Sequence, residues 1–376
     1  MAFAVSTPRY EIMSLRQVRR LVSFFGALMV KRWLLPEIDV QPVVAELFLT
    51  DNCNLRCVSC ACWRSETPDE LSRQEWFDVI RQLGNLGFVK LNFTGGEVLI
   101  RPDAADIIAY ASTHTEARLH LNTNGILLRP SLARTLIDAG VRSFNVSFDG
   151  PTPEIHDGIR GERGAFEKTL EHFRELVKLR DKYHLRLRIM FTVMRKNIDQ
   201  LVDMAKLAQE LEVQLFFNVV TDHTFLFRGY NIVTLGNIED KRLDEGLNRL
   251  LAHQRRQPQY LPRYSVVCYI GDHFRDQLQK KLPCTEANLK LMIHSQGQVG
   301  GCWAHDPEFS VREQSIASML KSTKFRKTQT DLFFKRCKGC GSNHSLNMRL
   351  EPRPMVYDLL WRAGIFKTRR KLFASP

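Results

Sequence analysis

Short apolar runs rich in branched and aromatic residues alternate along this chain with longer runs whose apolar residues recur every three or four positions. The short runs predict strands near residues 43–50, 88–94, 117–123, 143–149, 185–193 and 213–220. The longer runs predict helices between them, and this order is typical of βα units around parallel strands. Six units are fewer than the eight of a closed barrel. The sequence therefore predicts an α/β fold with an open, partial (β/α)6 barrel of the TIM type.

The alternation within the strands predicts what each face of the sheet contacts. One face is apolar, and we expect helices to cover it. The other face is polar and should line the lumen, which we interpret as a cavity for a large polar ligand; reversed or water-filled rows are the alternative. The apolar rows are Leu91, Phe93, Leu119, Leu121, Phe144, Val146, Phe148, Leu187, Ile189 and Phe191, and the polar rows are Asn92, Thr94, His120, Asn122, Asn145, Ser147, Asp149, Arg188, Thr192 and Asn218.

Composition changes divide the chain into five predicted segments. Residues 1–42 form a basic amphipathic extension, residues 43–236 the barrel, residues 237–264 a helix and linker, and residues 265–345 a small C-terminal domain with five of the nine cysteines. A basic tail, residues 346–376, follows. The apolar run Leu21–Val30 has basic residues at both edges, which favours a helix packed on the protein body or lying on a membrane surface.

Charge and cysteine content narrow the class of protein. Nine cysteines in two tight groups and scattered positions do not resemble a secreted disulfide framework, and no cleavable signal sequence is evident. We therefore expect a cytoplasmic protein, with membrane association as an open alternative, whose thiolates bind metal. The net charge of +13 indicates anionic partners without choosing among them.

The first cysteine group follows the first predicted strand. Cys53, Cys57 and Cys60 are spaced x3 and x2 on a loop at the carboxyl end of the strand, where a βα barrel keeps its chemistry. A four-iron cluster normally takes four thiolates, so three would leave one iron open. A zinc site with Cys62 as fourth ligand is the alternative, although Cys62 is more simply a small buried thiol.

The segment CNLRCVSC resembles the CxxxCxxC motif of the radical S-adenosylmethionine (SAM) superfamily. The resemblance implies that the three cysteines hold a [4Fe-4S] cluster whose open iron binds the amino and carboxylate groups of S-adenosylmethionine. Ser59 departs from the pattern, because the residue before the third cysteine is usually aromatic, and the usual adenine contact is therefore in doubt.

Three further segments resemble the superfamily in the expected order. Gly95, Gly96 and Glu97 match the GGE motif, in which glycines allow close approach of the backbone to the cofactor. Asn122, near the end of the third predicted strand, is a further predicted cofactor contact. In the run SFDGPTPEIHDGIRG, the resemblance implies cofactor contacts for Ser147, Asp149 and Arg160; a guanidinium donates two parallel hydrogen bonds to a carboxylate.

The second cysteine group offers four more thiolates, enough for one closed cluster. The spacing C-x12-G-x4-C followed by a distant C-x2-C resembles the SPASM or twitch extension of radical SAM enzymes, which implies one auxiliary [4Fe-4S] cluster. A zinc ribbon is the alternative. Cys268 is a candidate hydrogen-atom donor or iron ligand, with a structural thiol the simpler interpretation. The four predicted ligands are Cys284, Cys302, Cys337 and Cys340.

The resemblance implies reductive cleavage of S-adenosylmethionine to a 5′-deoxyadenosyl radical, hydrogen abstraction from a substrate C–H bond and a reductant such as flavodoxin or ferredoxin. We expect an oxidative step in the biosynthesis of a small, sugar-like molecule, because the 42 residues before the first strand leave no room for a fused peptide-recognition domain. Peptide and lipid substrates stay as alternatives. A zinc-stapled nucleic-acid-binding protein is a rival from another class, but it leaves GGE and SFDG unexplained, so no nucleic acid is expected.

Overall fold

The computed structural model describes residues 13–64, 68–220, 233–275, 284–302, 305–334 and 357–361. One sheet of nine strands runs through it in the order β6-β5-β4-β3-β2-β1-β7-β8-β9. All pairs from β6 to β7 in this order are parallel, and the pairs β7–β8 and β8–β9 are antiparallel. The strands are β1 Val44–Thr50, β2 Lys90–Gly95, β3 Arg118–Thr123, β4 Ser143–Ser147, β5 Arg186–Val193, β6 Gln214–Val219, β7 Lys290–Ile293, β8 Gln298–Gly300 and β9 Phe309–Ser310.

The helices lie between these strands and flank them. The predicted capping box of Ser72 and Glu75 is present at the start of the second helix, and its predicted apolar face is buried. The helices are α1 Leu15–Trp33, α2 Arg73–Asn85, α3 Ala104–His114, α4 Pro130–Asp138, α5 Pro153–Arg160, α6 Ala165–Lys178, α7 Arg180–Tyr183, α8 Leu201–Glu210, α9 Val233–Gly236, α10 Asp240–Gln254, α11 Tyr264–Phe274, α12 Glu286–Leu289, α13 Ile316–Lys321 and α14 Thr323–Phe333.

The two faces of the sheet differ as the alternation predicts. The apolar rows of β2 to β5 are buried in one continuous core with residues of the flanking helices, such as Trp76 and Phe173. The polar rows lie on the opposite face, where neighbouring strands align Asn92 with His120 and Asn145 with Arg188. The α/β fold with an open partial barrel is therefore confirmed.

Helix α1 lies across the amino-terminal edge of the sheet. Arg20 donates hydrogen bonds to the carbonyls of Gln41 and Pro42, just before β1. Phe24 and Leu28 pack in an apolar cluster with residues at the start of β1 and β2. The helix thus has one face fixed to the barrel. None of the helices in the described ranges is both long and apolar enough to cross a bilayer.

The described part of the predicted C-terminal domain continues the barrel sheet. Strand β7 pairs in parallel with β1, and β8 and β9 extend the sheet from there. Helix α11 packs in the main core through Val267 and Cys268. The predicted residues Cys337 and Cys340, and most of the basic tail from residue 346, lie outside the described residues.

Candidate active site

The first cysteine loop begins at the carboxyl end of β1. Thr50 and Asp51 donate hydrogen bonds from a hydroxyl and a backbone N–H to Glu70 Oε1, at 2.8 and 2.9 Å. Arg56 and Val58 donate backbone hydrogen bonds to the carbonyls at the end of α5. The loop that carries Cys53, Cys57 and Cys60 is therefore held at both ends by fixed elements of the barrel.

Gly95 and Gly96 form the seat of this loop. A Cβ atom on Gly95 would lie 2.2 Å from the Thr50 carbonyl oxygen, and one on Gly96 would lie 2.1 Å from the carbonyl oxygen of Asn52. Gly95 also has φ of +142°, a conformation that L side chains rarely adopt. Only glycine fits at either position, because the backbone of the cysteine loop occupies the space of a side chain.

The thiols of the loop lie in a buried setting that affects their charge. Burial raises the pKa of Cys53 to about 12 and that of Cys57 to about 11. A hydrogen bond from Cys62 lowers the pKa of Cys60 to about 7 and raises that of Cys62. Cys60 is therefore the thiol of the three that ionises most readily, and Cys62 interacts with it directly.

A buried ion pair supports the second cysteine of the loop. Arg160, at the end of α5, donates to Cys57 Sγ at 3.9 Å and pairs with Asp149 at 2.8 Å, with side-chain exposures of 12% and 2%. Asp149 also accepts from the backbone N–H of Thr192 at 3.0 Å. Asn197 donates to the carbonyls of Asp149 and Thr192. The positive charge beside Cys57 offsets part of the cost of a thiolate there.

Glu97 lies beneath the cysteine loop and stabilises it through buried hydrogen bonds. Its carboxylate is 1% exposed and accepts hydrogen bonds from Leu99 N, Thr123 Oγ1 and Asn124 N at 3.1, 2.9 and 2.7 Å. Burial raises the pKa of Glu97. The side chain of Asn124 in turn donates to Asn54 Oδ1 at 2.7 Å. These contacts lock the end of β3 to the cysteine loop.

Asn122 and Ser147, the other predicted cofactor contacts, lie on the polar face near the carboxyl ends of β3 and β4. Asn122 Oδ1 accepts from Asn145 Nδ2 at 2.9 Å and lies 3.2 Å from His120 Nε2. Ser147 aligns with Met190 of β5 and is half-buried. The predicted site residues of the barrel therefore gather at one edge and one face of the sheet.

The second cysteine group is described in part. Cys284 precedes α12 and donates its backbone N–H to the carbonyl of Phe333 at 3.0 Å. Cys302 is 6% exposed and packs with Ala287 and Leu332. Gly297 lies in the tight turn between β7 and β8 and has φ of +88°, a conformation that such a turn requires. Two of the four predicted ligands thus lie beside α12.

Cys268 lies on α11, fully buried in the main apolar core. This setting favours a structural thiol over a hydrogen-atom donor. In the ranges that the structure describes, no three His, Cys, Asp or Glu side chains converge to hold a single metal ion. In a four-iron cluster, by contrast, each thiolate binds a different iron, so the ligands surround the cluster.

Several residues of this site have no strong local signal in the sequence. Glu70, Asn124 and Asn197 brace the loops through hydrogen bonds to backbone groups. Asn197 is fully buried although it follows β5 in a polar stretch. A polar residue within a few positions of a strand's carboxyl end is the weak signal that could have identified Asn124 and Asn197.

The comparisons with known proteins begin with a family model. The model described as the radical SAM superfamily matches residues 47–208, from within β1 to within α8. Among solved structures, native anSMEcpe with bound AdoMet aligns with TM-score 0.63 and 17% identity over 86% of this chain and 97% of that chain. SuiB from Streptococcus suis aligns with TM-score 0.60 and 13% identity over 84% and 76%. These two likenesses show the fold.

Curated relatives share more sequence over shorter spans. An AdoMet-dependent heme synthase of Methanosarcina barkeri is 37% identical over 46% of this chain and 50% of its own length. A heme synthase of Oleidesulfovibrio alaskensis is 30% identical over 67% and 64%. The mycofactocin maturase MftC of Mycolicibacterium smegmatis is 32% identical over 44% and 42%. The matched region thus covers about half the length of these relatives.

The matched region contains the cysteine loop, the GGE seat and the Asp149–Arg160 pair, in the order and on the elements described above. Sequence motif, family match and fold therefore agree. Residues 47–208 of this chain therefore contain a radical SAM domain.

Proposed function

We propose that this chain is an enzyme that reductively cleaves S-adenosylmethionine and removes hydrogen from a substrate C–H bond. The observation that carries the proposal is the placement of Cys53, Cys57 and Cys60 on one braced loop at the carboxyl edge of a parallel sheet. Gly95 and Gly96 lie directly beneath this loop. The relatives named for AdoMet-dependent chemistry support the same reaction.

The residues of the loop fit a [4Fe-4S] cluster. Three thiols from one short segment supply three of the four ligands that such a cluster takes. The Arg160 guanidinium lies beside Cys57 and compensates negative charge in a buried setting. A cluster held by these residues and reduced by an external electron carrier would supply the electron for cleavage of S-adenosylmethionine, and that chemistry would provide the radical that takes a hydrogen atom from the substrate.

The protein's own residues bind, orient and exclude water. The glycine seat lets the backbone of the cysteine loop pack directly on the end of β2, which fixes the three thiols relative to the sheet. The polar rows of β2 to β5 offer hydrogen bonds to a bound molecule below the loop, and the core behind the sheet holds those rows in place. Such rigid placement of groups around a reactive intermediate is what a protein contributes to cofactor chemistry.

We also propose one auxiliary [4Fe-4S] cluster held by Cys284, Cys302, Cys337 and Cys340. The placement of Cys284 and Cys302 on either side of α12, close to β7, supports this. A second cluster suits a reaction in which an electron leaves the substrate radical. The reductant would be a small electron carrier such as flavodoxin or ferredoxin.

For the substrate we favour a small molecule over a peptide. Two of the relatives are named heme synthases, at 37% and 30% identity, and a heme precursor is a small molecule. The peptide alternative draws support from the relative named mycofactocin maturase, at 32% identity over a shorter span. A lipid substrate is the third alternative.

The test is anaerobic reconstitution followed by counts of iron and sulfide and an assay of 5′-deoxyadenosine with dithionite and S-adenosylmethionine. We expect about eight irons and deoxyadenosine release from the wild type. Replacing Cys53, Cys57 and Cys60 together with alanine should remove about four irons and all cleavage, and leave brown protein. Cys62→Ala is the matched control and should keep all irons. Zinc without cleavage would overturn the proposal.

A further inference from the structure

The polar face of the barrel contains a lysine, Lys90, that forms no ion pair within the described residues. Lys90 begins β2 and points to the same face as Asn92, because side chains two apart in a strand share a face. Within the described residues, its ammonium has no hydrogen bond or ion pair. Burial, with help from nearby Arg188 and Lys290, lowers the pKa of Lys90 to about 7. Lys90 is half-buried, and cations beside an ammonium that has no ion pair are unfavourable unless an anion binds.

The charges around Lys90 are mainly positive. Arg186 and Arg188 lie on the same face of β5, and Lys290 comes from β7. Lys290 is neutralised by Glu46 at 2.7 Å and Glu286 at 3.1 Å. His120, between β2 and β5, is held neutral because burial and these cations lower its pKa. The two acids thus pair with Lys290. Glu46 also raises the pKa of Lys90, but no acid in the described part of the chain forms an ion pair with Lys90.

Two neighbouring side chains carry unsatisfied polar atoms on the same face. Asn92 and Asn145 are each 7% exposed, and the Oδ1 atom of each is buried without a hydrogen-bond partner. Buried polar atoms in folded proteins are nearly always paired with protein, water or ligand. Asn92 lies two residues after Lys90 on β2. Asn145 of β4 is aligned with Arg188 of β5. Because both Oδ1 atoms are acceptors, they fit hydroxyl or N–H donors of a ligand, whereas the cations Lys90 and Arg188 fit an anion.

We propose that the patch formed by Lys90, Asn92, Asn145 and Arg188 binds the far end of the substrate. Lys90 and Arg188 face an anionic group, a carboxylate or a phosphate, and the amide oxygens of Asn92 and Asn145 accept hydrogen bonds from a hydroxyl or N–H group beside it. The proposal rests on the proposed function, since it places the patch in the substrate cavity. Lys90 lies four residues before Thr94, which is about 13 Å along the strand at roughly 3.3 Å per residue. The substrate would therefore be elongated, with its reacting carbon near the cysteine loop and its anion near Lys90.

The test uses reconstituted protein without S-adenosylmethionine or reductant, so that its outcome is separate from that of the cleavage assay. Thermal unfolding is followed with increasing citrate or inorganic phosphate at constant ionic strength. A ligand that binds the folded state raises the Tm, here by about 2 to 4 °C. Lys90→Met should have a higher starting Tm, because an unpaired charge is gone, and should lose the rise.

Lys168→Met is the matched control, because Lys168 is exposed on α6, away from the patch. It should respond to the anions as the wild type does. A rise with citrate alone identifies a carboxylate site, and a rise with phosphate alone a phosphate site. An equal response of wild type and Lys90→Met, or a lower starting Tm in Lys90→Met, would overturn the proposal.

A second feature, independent of the cavity, is the outer face of α1. Eight of the twelve large apolar side chains that are exposed in the described residues lie between positions 15 and 35, so exposed apolar surface is concentrated on one helix. They are Leu15, Val18, Val22, Phe25, Met29, Trp33, Leu34 and Leu35, with exposed fractions from 42% to 79%. A concentrated exposed apolar patch marks a contact surface.

The other face of α1 is already occupied. Gln17, Phe24, Leu28 and Lys31 are buried, and Lys31 donates to the carbonyls of Pro36 and Ile38. An apolar groove on this face is lined by four of the exposed residues, which recur every three or four positions: Val18, Val22, Phe25 and Met29. The helix is therefore fixed to the barrel on one side and presents an apolar stripe on the other.

Charge identifies the kind of surface that fits this stripe. Helix α1 has five basic residues and no acidic one; Arg16 and Arg19 are exposed, Arg20 and Arg32 are half-buried, and Lys31 is buried. A second copy of the chain docked on the same stripe would bring the two sets of positive charges together, which is unfavourable. An anionic lipid surface complements both the charge and the apolar stripe, and Trp33 at the end of the helix suits the interface. We infer that α1 binds the surface of an anionic bilayer.

Sedimentation with vesicles tests this inference. The reconstituted chain should bind vesicles of 70% phosphatidylcholine and 30% phosphatidylglycerol, and bind phosphatidylcholine alone at least tenfold less. Val22→Gln with Phe25→Gln should reduce binding at least tenfold and leave the circular dichroism spectrum unchanged. Leu359→Gln, at an exposed position outside α1, is the control. Wild-type binding by the double variant, or a dimer that the double variant dissociates, would contradict a lipid surface.

Discussion

At the residue scale, the Arg160–Asp149 pair decides whether charge can be held beside Cys57. Asp149→Asn keeps the acceptor for Thr192 N but removes the negative partner of a guanidinium that is 12% exposed. Breaking one side of a buried pair leaves an uncompensated charge. We expect the apo-protein to lose about 3 kcal/mol of unfolding free energy in urea. Asp203→Asn, in the exposed pair with Lys206, should change it by less than about 1 kcal/mol.

The pH dependence of stability tests the environment of Lys90. Its pKa is lowered from 10.5 to about 7, with Arg186, Arg188, Lys290 and Glu46 facing it. Between these values the unfolded chain binds the proton that the folded chain has lost, so stability rises with pH. Below pH 7 both states are protonated and the full destabilisation is present. The stabilisation by Lys90→Met should therefore be largest below pH 7 and vanish towards pH 10.5. A pH-independent difference would contradict this environment.

The residues that could be predicted from sequence are those with distinctive side-chain chemistry. Cysteines at fixed spacing stand out because few residue types can serve as thiolate ligands. Asp149 and Arg160 were predicted through their motif as cofactor contacts, and their ion pair appears only in the structure. Glu70 and Asn197 do not stand out, since they act through hydrogen bonds to backbone atoms that are distant in sequence. No local feature of the sequence distinguishes Lys90 from other lysines in strands. The charges around it become visible only from the registers of β1, β2 and β5.

At the element scale, the contact between the cysteine loop and the start of the loop after β2 fixes the geometry of the first site. Gly96→Ala would place a methyl group 2.1 Å from the Asn52 carbonyl oxygen, which is backbone and cannot move aside alone. We expect the cysteine loop to shift, so that iron at the first site falls by more than half. Iron analysis and deoxyadenosine release after reconstitution measure the effect.

Gly158 provides the matched control, because a Cβ atom there meets nothing within 4 Å. It lies inside α5, where alanine is the better helix former, so Gly158→Ala should raise stability by about 0.5 to 1 kcal/mol. Iron content and cleavage should match those of the wild type. Full iron loading by Gly96→Ala would show that the loop does not need the glycine seat.

The elements themselves follow from local pattern, and their pairing does not. Each of the six predicted barrel strands agrees with the structure within about three residues, because alternation and flanking turns are local signals. The pairing of β7 with β1 joins residues about 245 positions apart, as in Val44 with Lys290. Nothing within a short window of sequence specifies such a partner. A separate C-terminal domain was therefore the natural expectation for residues 265–345.

At the scale of the whole molecule, a few buried polar bonds tie the second cysteine group to the barrel. Gln329 of α14 is 3% exposed and donates to the carbonyls of Val40 and Ala287 at 2.7 and 2.9 Å. Asn288 Nδ2 donates to the backbone carbonyl of Gln329 at 3.2 Å. Since Val40 precedes β1 and Ala287 lies in α12, this one side chain connects the segment beside Cys284 and Cys302 to the barrel at the amino end of β1.

Gln329→Leu should leave two buried carbonyls without donors, and each costs about 1 to 3 kcal/mol. Because the loss falls where α12 and α14 meet the barrel, hydrogen exchange should accelerate at residues 284–302 before it does in β2 to β5. Gln259→Leu, at an exposed position, should leave exchange unchanged. If exchange rises equally in all strands, then the segment and the barrel unfold as one unit, and the tie through Gln329 is not what holds the second site in place.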